Sequence, residues 1–346
     1  MSIIFMDSFD HYTTAAQAAA KGWTLGGPSH LDTVIKRTGV QSGRLQYAAC
    51  ATLPVAVANG TAIYLHFAMY ANATWPAPYI CGVSGNPADQ NQYQVAILTS
   101  SVGEVYARTH SGTIAGTVTA PGKFRQNTWN YFQVKFVVSD TVGEVEVYLN
   151  GELIIDVDTK DTKFDASTTV TAVILNGGYE IRVDDFVVNY NDGDGINDGF
   201  LGEPRVVCLL PQTDAVAAGS NADFTPSTGT DHGALVDEAT PNDDTDYVSS
   251  STLNHVDSWE YPALGYTGDI KGVQMSLRAK KSDSGTRAIA AVTKPAATNR
   301  VHATNHYLGM TDYVYWKAIW DQNPEDSAAW EVADVDGAEF GVKVTV

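Results

Sequence analysis

Several groups of residues in this sequence have types and spacings that chemistry uses. Glu144 and Glu146 alternate on one stretch, with Glu152 a few residues on. Two carboxylates roughly 5–9 Å apart are what glycoside hydrolysis requires. A strand-borne set on the plan Glu-x-Asp-x-x-Glu lacks its third acid here, so ion-paired or solvated edge glutamates are the simpler reading. His302 and His306 stand four apart, the spacing that places two imidazoles on one helix face for a metal. Val301-His302-Ala303-Thr304-Asn305-His306 reads instead as strand and loop and has no HExxH glutamate. A structural role is expected for both rings.

Asp192, Asp194, Asn197 and Asp198 offer hard oxygen ligands to calcium on a Gly-rich loop. An EF-hand would carry Asp or Asn where Ile196 stands and Gly where Asn197 stands, and a solvated linker explains the same residues without an ion. Both readings stay open. Gly193-Asp194-Gly195 is no dinucleotide fingerprint, because Phe200 to Arg205 leads toward a strand and not into a helix whose N-terminus could hold pyrophosphate. No Gly-x-Ser-x-Gly elbow precedes a helix. The residues therefore assign no catalytic group, no metal ligand and no cofactor. Trp75-Pro76-Ala77-Pro78-Tyr79 is a stiff loop with two flat apolar faces, which makes Trp75 and Tyr79 the candidates for stacking on a sugar ring. Core or interface packing is the commoner fate of such rings.

The elements that must position these residues read as strands. Ala62–Tyr70, Tyr93–Leu98 and Trp129–Val138 alternate apolar and polar side chains. Gly143–Val157 alternates into Asn150-Gly151 and out again, a β-hairpin on a type I′ turn. It turns Glu144 and Glu146 to one face and Val145, Val147 and Leu149 to the other, as in a sandwich with one wet and one packed face. A further strand covers Tyr179–Val188. Asn189–Gly199 is polar, acidic and Gly-rich and marks the boundary between domains. Arg205–Leu210 is expected to restart a buried strand. Beyond it lie a long Asp-, Thr- and Gly-rich loop and strands near residues 246–248, 255–261, 270–279, 287–293, 313–320 and 340–346. Helix is limited to a short segment ending at Lys21 and a turn or two within residues 324–337.

The 346 residues suit two domains: a β-sandwich over residues 1–190, a linker over 191–202 and a second β-rich, sandwich-like domain over 203–346. The formal charge of −19, with an acidic excess in both halves, disfavours nucleic acid and anionic lipid surfaces. No apolar run is long enough to insert in a membrane. The opening residues predict no signal peptide and hence synthesis in a cytoplasm. Cys50, Cys81 and Cys208 are odd in number and far apart, which suits reduced, buried thiols.

Met6-Asp7-Ser8-Phe9-Asp10, Thr38–Leu45, Trp129–Val134 with Val145–Leu153, and Arg182–Val188 together resemble the concanavalin A-like (laminin G-like) jelly-roll domain. With Phe200–Val206, Asp223–Gly229, Asp243–Val248, Val273–Asp283, Gln322–Glu331 and Phe340–Val344, the chain resembles tailed-bacteriophage virion proteins that join such a sandwich to a second β-domain. The resemblance implies an all-β protein with no enzymatic activity: a tail, tail-fibre or head-decoration component. Its partners would be other virion proteins and copies of itself, in a trimer or hexamer, and its place the virion. Recognition of host surface glycans through Trp75 and Tyr79 is the alternative.

Overall fold

A computed structural model describes residues 2–25, 30–45, 48–72, 79–86, 88, 92–112, 118–176, 180–214, 221–239, 241, 243–310 and 312–346. They form two compact units, Met1–Val207 and Cys208–Val346.

The first unit opens with β1 (Ile3–Asp7), the helix α1 (Ala15–Lys21), β2 (Trp23–Leu25), β3 (His30–Asp32) and β4 (Ser42–Leu45). Then follow β5 (Ala48–Ala58), β6 (Ala62–Ala71), β7 (Tyr79–Ser84), β8 (Val95–Thr99) and β9 (Val105–Thr109). β10 (Trp129–Val137), β11 (Gly143–Leu149), β12 (Glu152–Lys160), β13 (Thr169–Asn176) and β14 (Ile181–Tyr190) complete it. One antiparallel sheet has the order β12-β11-β10-β6-β14-β4-β3, with β1 also on β14, and the other β2-β5-β13-β7-β8-β9. Phe67 stacks on Phe132 at 5.4 Å between them, and Phe5, Trp23 and Phe186 pack alongside. Each such fully buried ring contributes about 1.5–3 kcal/mol. This is a concanavalin A-like jelly-roll sandwich in an all-β chain. Asn150 and Gly151 take φ of 51° and 79°, as the type I′ hairpin requires.

A charged cluster ties β1 to α1. The Asp7 carboxylate is buried and accepts from the Tyr12 hydroxyl at 2.6 Å and the Trp23 indole at 2.8 Å. Lys21, only 3% exposed, lies 3.6 Å from it.

Three features differ from the reading of the sequence. Residues 191–202 do not form a solvated linker. Ser2 Oγ donates to the Ile196 carbonyl at 2.6 Å and lies 3.1 and 3.0 Å from carboxylate oxygens of Asp192 and Asp198, and the Asn189 amide donates to the carbonyls of Asn197 and Gly199. Phe200 then sits edge-on to Tyr64 and Tyr148, at 5.1 and 5.0 Å. The unit consequently extends to Val207 and not to residue 190. Arg205–Leu210 forms no strand. Val206 instead spends its N–H on Asp185 Oδ1, 2.9 Å away, and the Pro204 carbonyl accepts from the Tyr131 hydroxyl. Finally, β6 is buried on both faces, because this returning segment covers its outward Tyr64 and His66.

The second unit comprises β15 (Thr213–Asp214), β16 (Thr225–Pro226), β17 (Val248–Ser249), β18 (Val256–Glu260) and β19 (Val273–Ala279). It continues through β20 (Ala288–Lys294), β21 (Arg300–Val301), β22 (His306–Tyr307), β23 (Val314–Trp320), α2 (Val332–Gly337) and β24 (Glu339–Val344). One antiparallel sheet runs β15-β18-β24-β20-β21, with β22 on β20, and the pairs β16–β17 and β19–β23 form separate ribbons. Met275 and Trp320 from the second ribbon share a core with Ile289, Trp330, Phe340 and Val342.

Candidate functional site

The acids singled out by spacing do not converge. Glu144 and Glu146 share the outward face of β11, half-exposed, and Glu144 is tied to Lys135 while Glu152 is tied to Lys123. His302 donates through Nε2 to the Ile319 carbonyl at 3.2 Å, and His306 stacks on Trp316 at 4.9 Å. Burial lowers both imidazoles below the ordinary value, so they pack as neutral rings on strand and loop. Cys50 and Cys81 are free and buried. Burial pushes the Cys50 thiol up to about 12, which makes it unreactive.

Asp192, Asp194 and Asp198 do come together, each offering an oxygen within 4.8 Å of the others. Backbone N–H groups already use these carboxylates: Asp194 N donates to Asp192, Ile196 N to Asp194, and Gly195 N to Asp198. Those turns and Ser2 account for the cluster. A buried carboxylate pair that spacing did not reveal lies at Asp184 and Asp185, where a bulge in β14 sets φ of Asp185 to 53°. Burial and the neighbouring Asp185 push Asp184 up to about 7, against the pull of the Arg37 and Thr38 N–H groups. Asp185 is occupied by Arg37 at 2.6 Å, Thr38 and Val206. These atoms are committed to holding the chain together.

In the second unit His232 Nδ1 lies 2.8 Å from the buried Asp257. An open cleft of about 330 Å³ beside the β8–β9 turn has Arg125 as its one charged lining residue.

Trp75 lies outside the described residues. Tyr79 begins β7, and its hydroxyl accepts from the Tyr93 hydroxyl at 3.1 Å. The rings continue as a tier: Tyr79 to Tyr93 at 4.9 Å, Tyr93 to His110 at 5.1 Å, His110 to Phe164 at 4.1 Å. Local structure sets each member. Alternation along β9 turns Val105, Ala107 and Thr109 inward and Tyr106 and Arg108 outward, with His110 following in the same phase. The buried Gln94 side chain accepts from Phe164 N at 2.6 Å and donates to Asp165, which fixes the Phe164 ring at the rim. Ala96, Leu98, Ala172 and Ile174 form the floor. Burial and the Tyr79 hydroxyl push the Tyr93 phenol up, and Arg108 pulls it back. Flat rings beside a guanidinium can stack on a ligand and hydrogen-bond it.

Neither a protein-family model nor a curated protein matches the sequence. Among solved structures the chain is similar to alginate lyase Aly36B, at 13% identity and a TM-score of 0.38, over 54% of this chain and 96% of that one. It is similar to the potassium-bound carbohydrate recognition domain of Emp46p, at 11% identity and 0.35, over 53% and 94%. A galectin-like protein of unknown function from Bacillus subtilis is 10% identical at 0.35, over 55% and 96%.

Proposed function

We propose that this protein is a non-catalytic structural component of a tailed-bacteriophage virion, in the tail, a tail fibre or the head decoration, working through contacts with other virion proteins and with copies of itself. The observation that carries this reading is the outer surface of the second unit. Tyr307 is 58% exposed, Met310 51%, Leu253 57% and Tyr266 45%, and residues of these types are at home in protein interfaces. The sequence resemblance spanning both units supports it, as does the spending of the conspicuous acids on ion pairs and backbone amides. The test is native mass spectrometry of the full chain together with a protein inventory of purified particles. A trimer or hexamer found in particles is expected, whereas a strict monomer at high concentration that is absent from particles sinks the proposal.

A second reading is favoured by the tier from Tyr79 to Phe164: recognition of a host surface glycan. A glycan array with Phe164→Ala and Tyr79→Ala as controls tests it, and loss of signal in both variants is the expected result.

A further inference from the structure

We infer that Arg108 is the anion-binding centre of a site for a carboxylated glycan on the outward face of β9, an inference that rests on the glycan-recognition reading. The chain has 40 acidic side chains against 21 Lys and Arg, so arginines readily find carboxylates. Arg37 meets Asp185, Arg44 meets Glu180, Arg182 meets Asp32, Arg278 meets Asp243, Arg287 meets Asp283 and Arg300 meets Glu325. Apart from Arg108, the described arginines without such a partner, Arg125 and Arg205, are exposed. Arg108 is half-buried, its Nε is shut off from solvent, and no described residue accepts a hydrogen bond from it. A buried donor without an acceptor is costly, and with Nε alone closed to solvent the Nη groups stay open to an arriving anion.

The surroundings point to which anion. A planar guanidinium matches a carboxylate with two parallel N–H···O bonds. Gly112, at φ of 87°, lets the guanidinium lie against the backbone, since a Cβ there would stand 3.1 Å from Nη2. Beside Arg108 are Tyr106, one alternation back on the same face, and Tyr93, on whose phenol its charge acts. Tyr93 donates its proton to the Tyr79 hydroxyl, which leaves the Tyr79 proton for an outside acceptor. The Nδ1 atom of His110 is likewise buried without a partner. Aromatic faces, a spare hydroxyl donor and one unpaired guanidinium suit a sugar ring that bears a single carboxylate.

The experiment is calorimetric titration of the full chain with oligouronates, with the same oligosaccharides after carboxyl reduction, and with a sulfated glycan. The unreduced sugar is expected to bind. Carboxyl reduction and Arg108→Gln are each expected to weaken it about 10- to 100-fold, the worth of a charge-assisted pair. Arg108→Lys, which keeps the charge and loses the fork, should fall between, with circular dichroism confirming that both variants are folded. Equal affinity for the reduced sugar, or an unchanged Arg108→Gln, overturns the carboxylate site while leaving glycan recognition standing. Tighter binding of the sulfated glycan also overturns it. Silence toward every glycan, the neutral ones included, overturns both.

Discussion

In the first unit Phe67, Phe132 and Phe186 meet between two sheets of long strands, whereas in the second Trp259, Trp330 and Phe340 gather against one sheet and its ribbons. The contrast continues at the surface. Most exposed apolar residues of the first unit are valines at turns and loops, Val34, Val40, Val102 and Val142 among them, while the second exposes Tyr247, Tyr266, Tyr307, Met310 and Leu253. Each unit also buries one lysine against a carboxylate: Lys21 with Asp7 in the first, and Lys294 with Glu339, 2.8 Å apart, in the second. The two units thus differ in what they expose: mostly valines at turns and loops in the first, larger rings and a methionine in the second. The proposed association surface and the two-sheet core therefore fall in different stretches of one chain.

That division can be broken most forcibly at the buried lysines. Asp7→Asn strands Lys21 and should cost the first unit about 3–5 kcal/mol, the penalty for an uncompensated buried charge. Glu339→Gln should do the same to the second. Urea denaturation followed by Trp fluorescence and near-UV circular dichroism reads both; if either variant moves the two transitions together, the units are not independent. Acidity supplies a smaller effect. Asp257 faces His232, Asp214 and Asp223, and burial pushes its carboxyl up to about 6. This folded value lies above the value of about 4 in an unfolded chain, so the proton stabilises the fold fully below about pH 4, and the contribution is lost as pH rises through 6. The second transition should weaken across that window by the order of 2 kcal/mol, and Asp257→Asn should flatten the dependence. A pH profile unchanged in the variant refutes the assignment.

Hydrogen exchange sharpens the comparison further. Amides of β6, β10 and β14, central in a covered sheet, are expected to exchange more slowly than those of β18, β20 and β24, and equal protection would erase the distinction. The smallest change in stability is predicted for Tyr307→Ser combined with Met310→Ser, within about 0.5 kcal/mol as is usual at exposed positions. The same pair should lower the native mass toward the monomer. Unaltered assembly would remove this surface from the interface.

Much of the architecture was legible because it rests on local physics. The alternation through Gly143–Val157 and the turn at Asn150-Gly151 specify hairpin, register and inward face with no knowledge of the rest. The strand reading over 313–320 likewise matches β23 (Val314–Trp320). What the sequence withheld depends on residues far apart along the chain. Asp185 looks like any strand acid until Arg37, 148 positions away, reaches it. Asn189–Gly199 has the composition of a linker, and its internal turns are joined to the sandwich by Ser2, which is remote in sequence and meets the Ile196 carbonyl. The candidate site was half visible: Tyr79 stood out by type, while Arg108 is conspicuous through having no partner among the described residues, which no spacing can reveal. A phase-matched Tyr106-x-Arg108-x-His110 was the available signal.

The course of Phe200 to Val206 over the eight-stranded sheet has a mechanical meaning. Tension applied at Cys208 would meet the sandwich at the Val206–Asp185 hydrogen bond, then at Pro204 on Tyr131, and only afterwards at the Phe200 ring wedged between Tyr64 and Tyr148. The load enters at the bulge of β14, a central strand bonded on both sides, so the join resists being peeled as a rope does when it is wound around a post before it is tied.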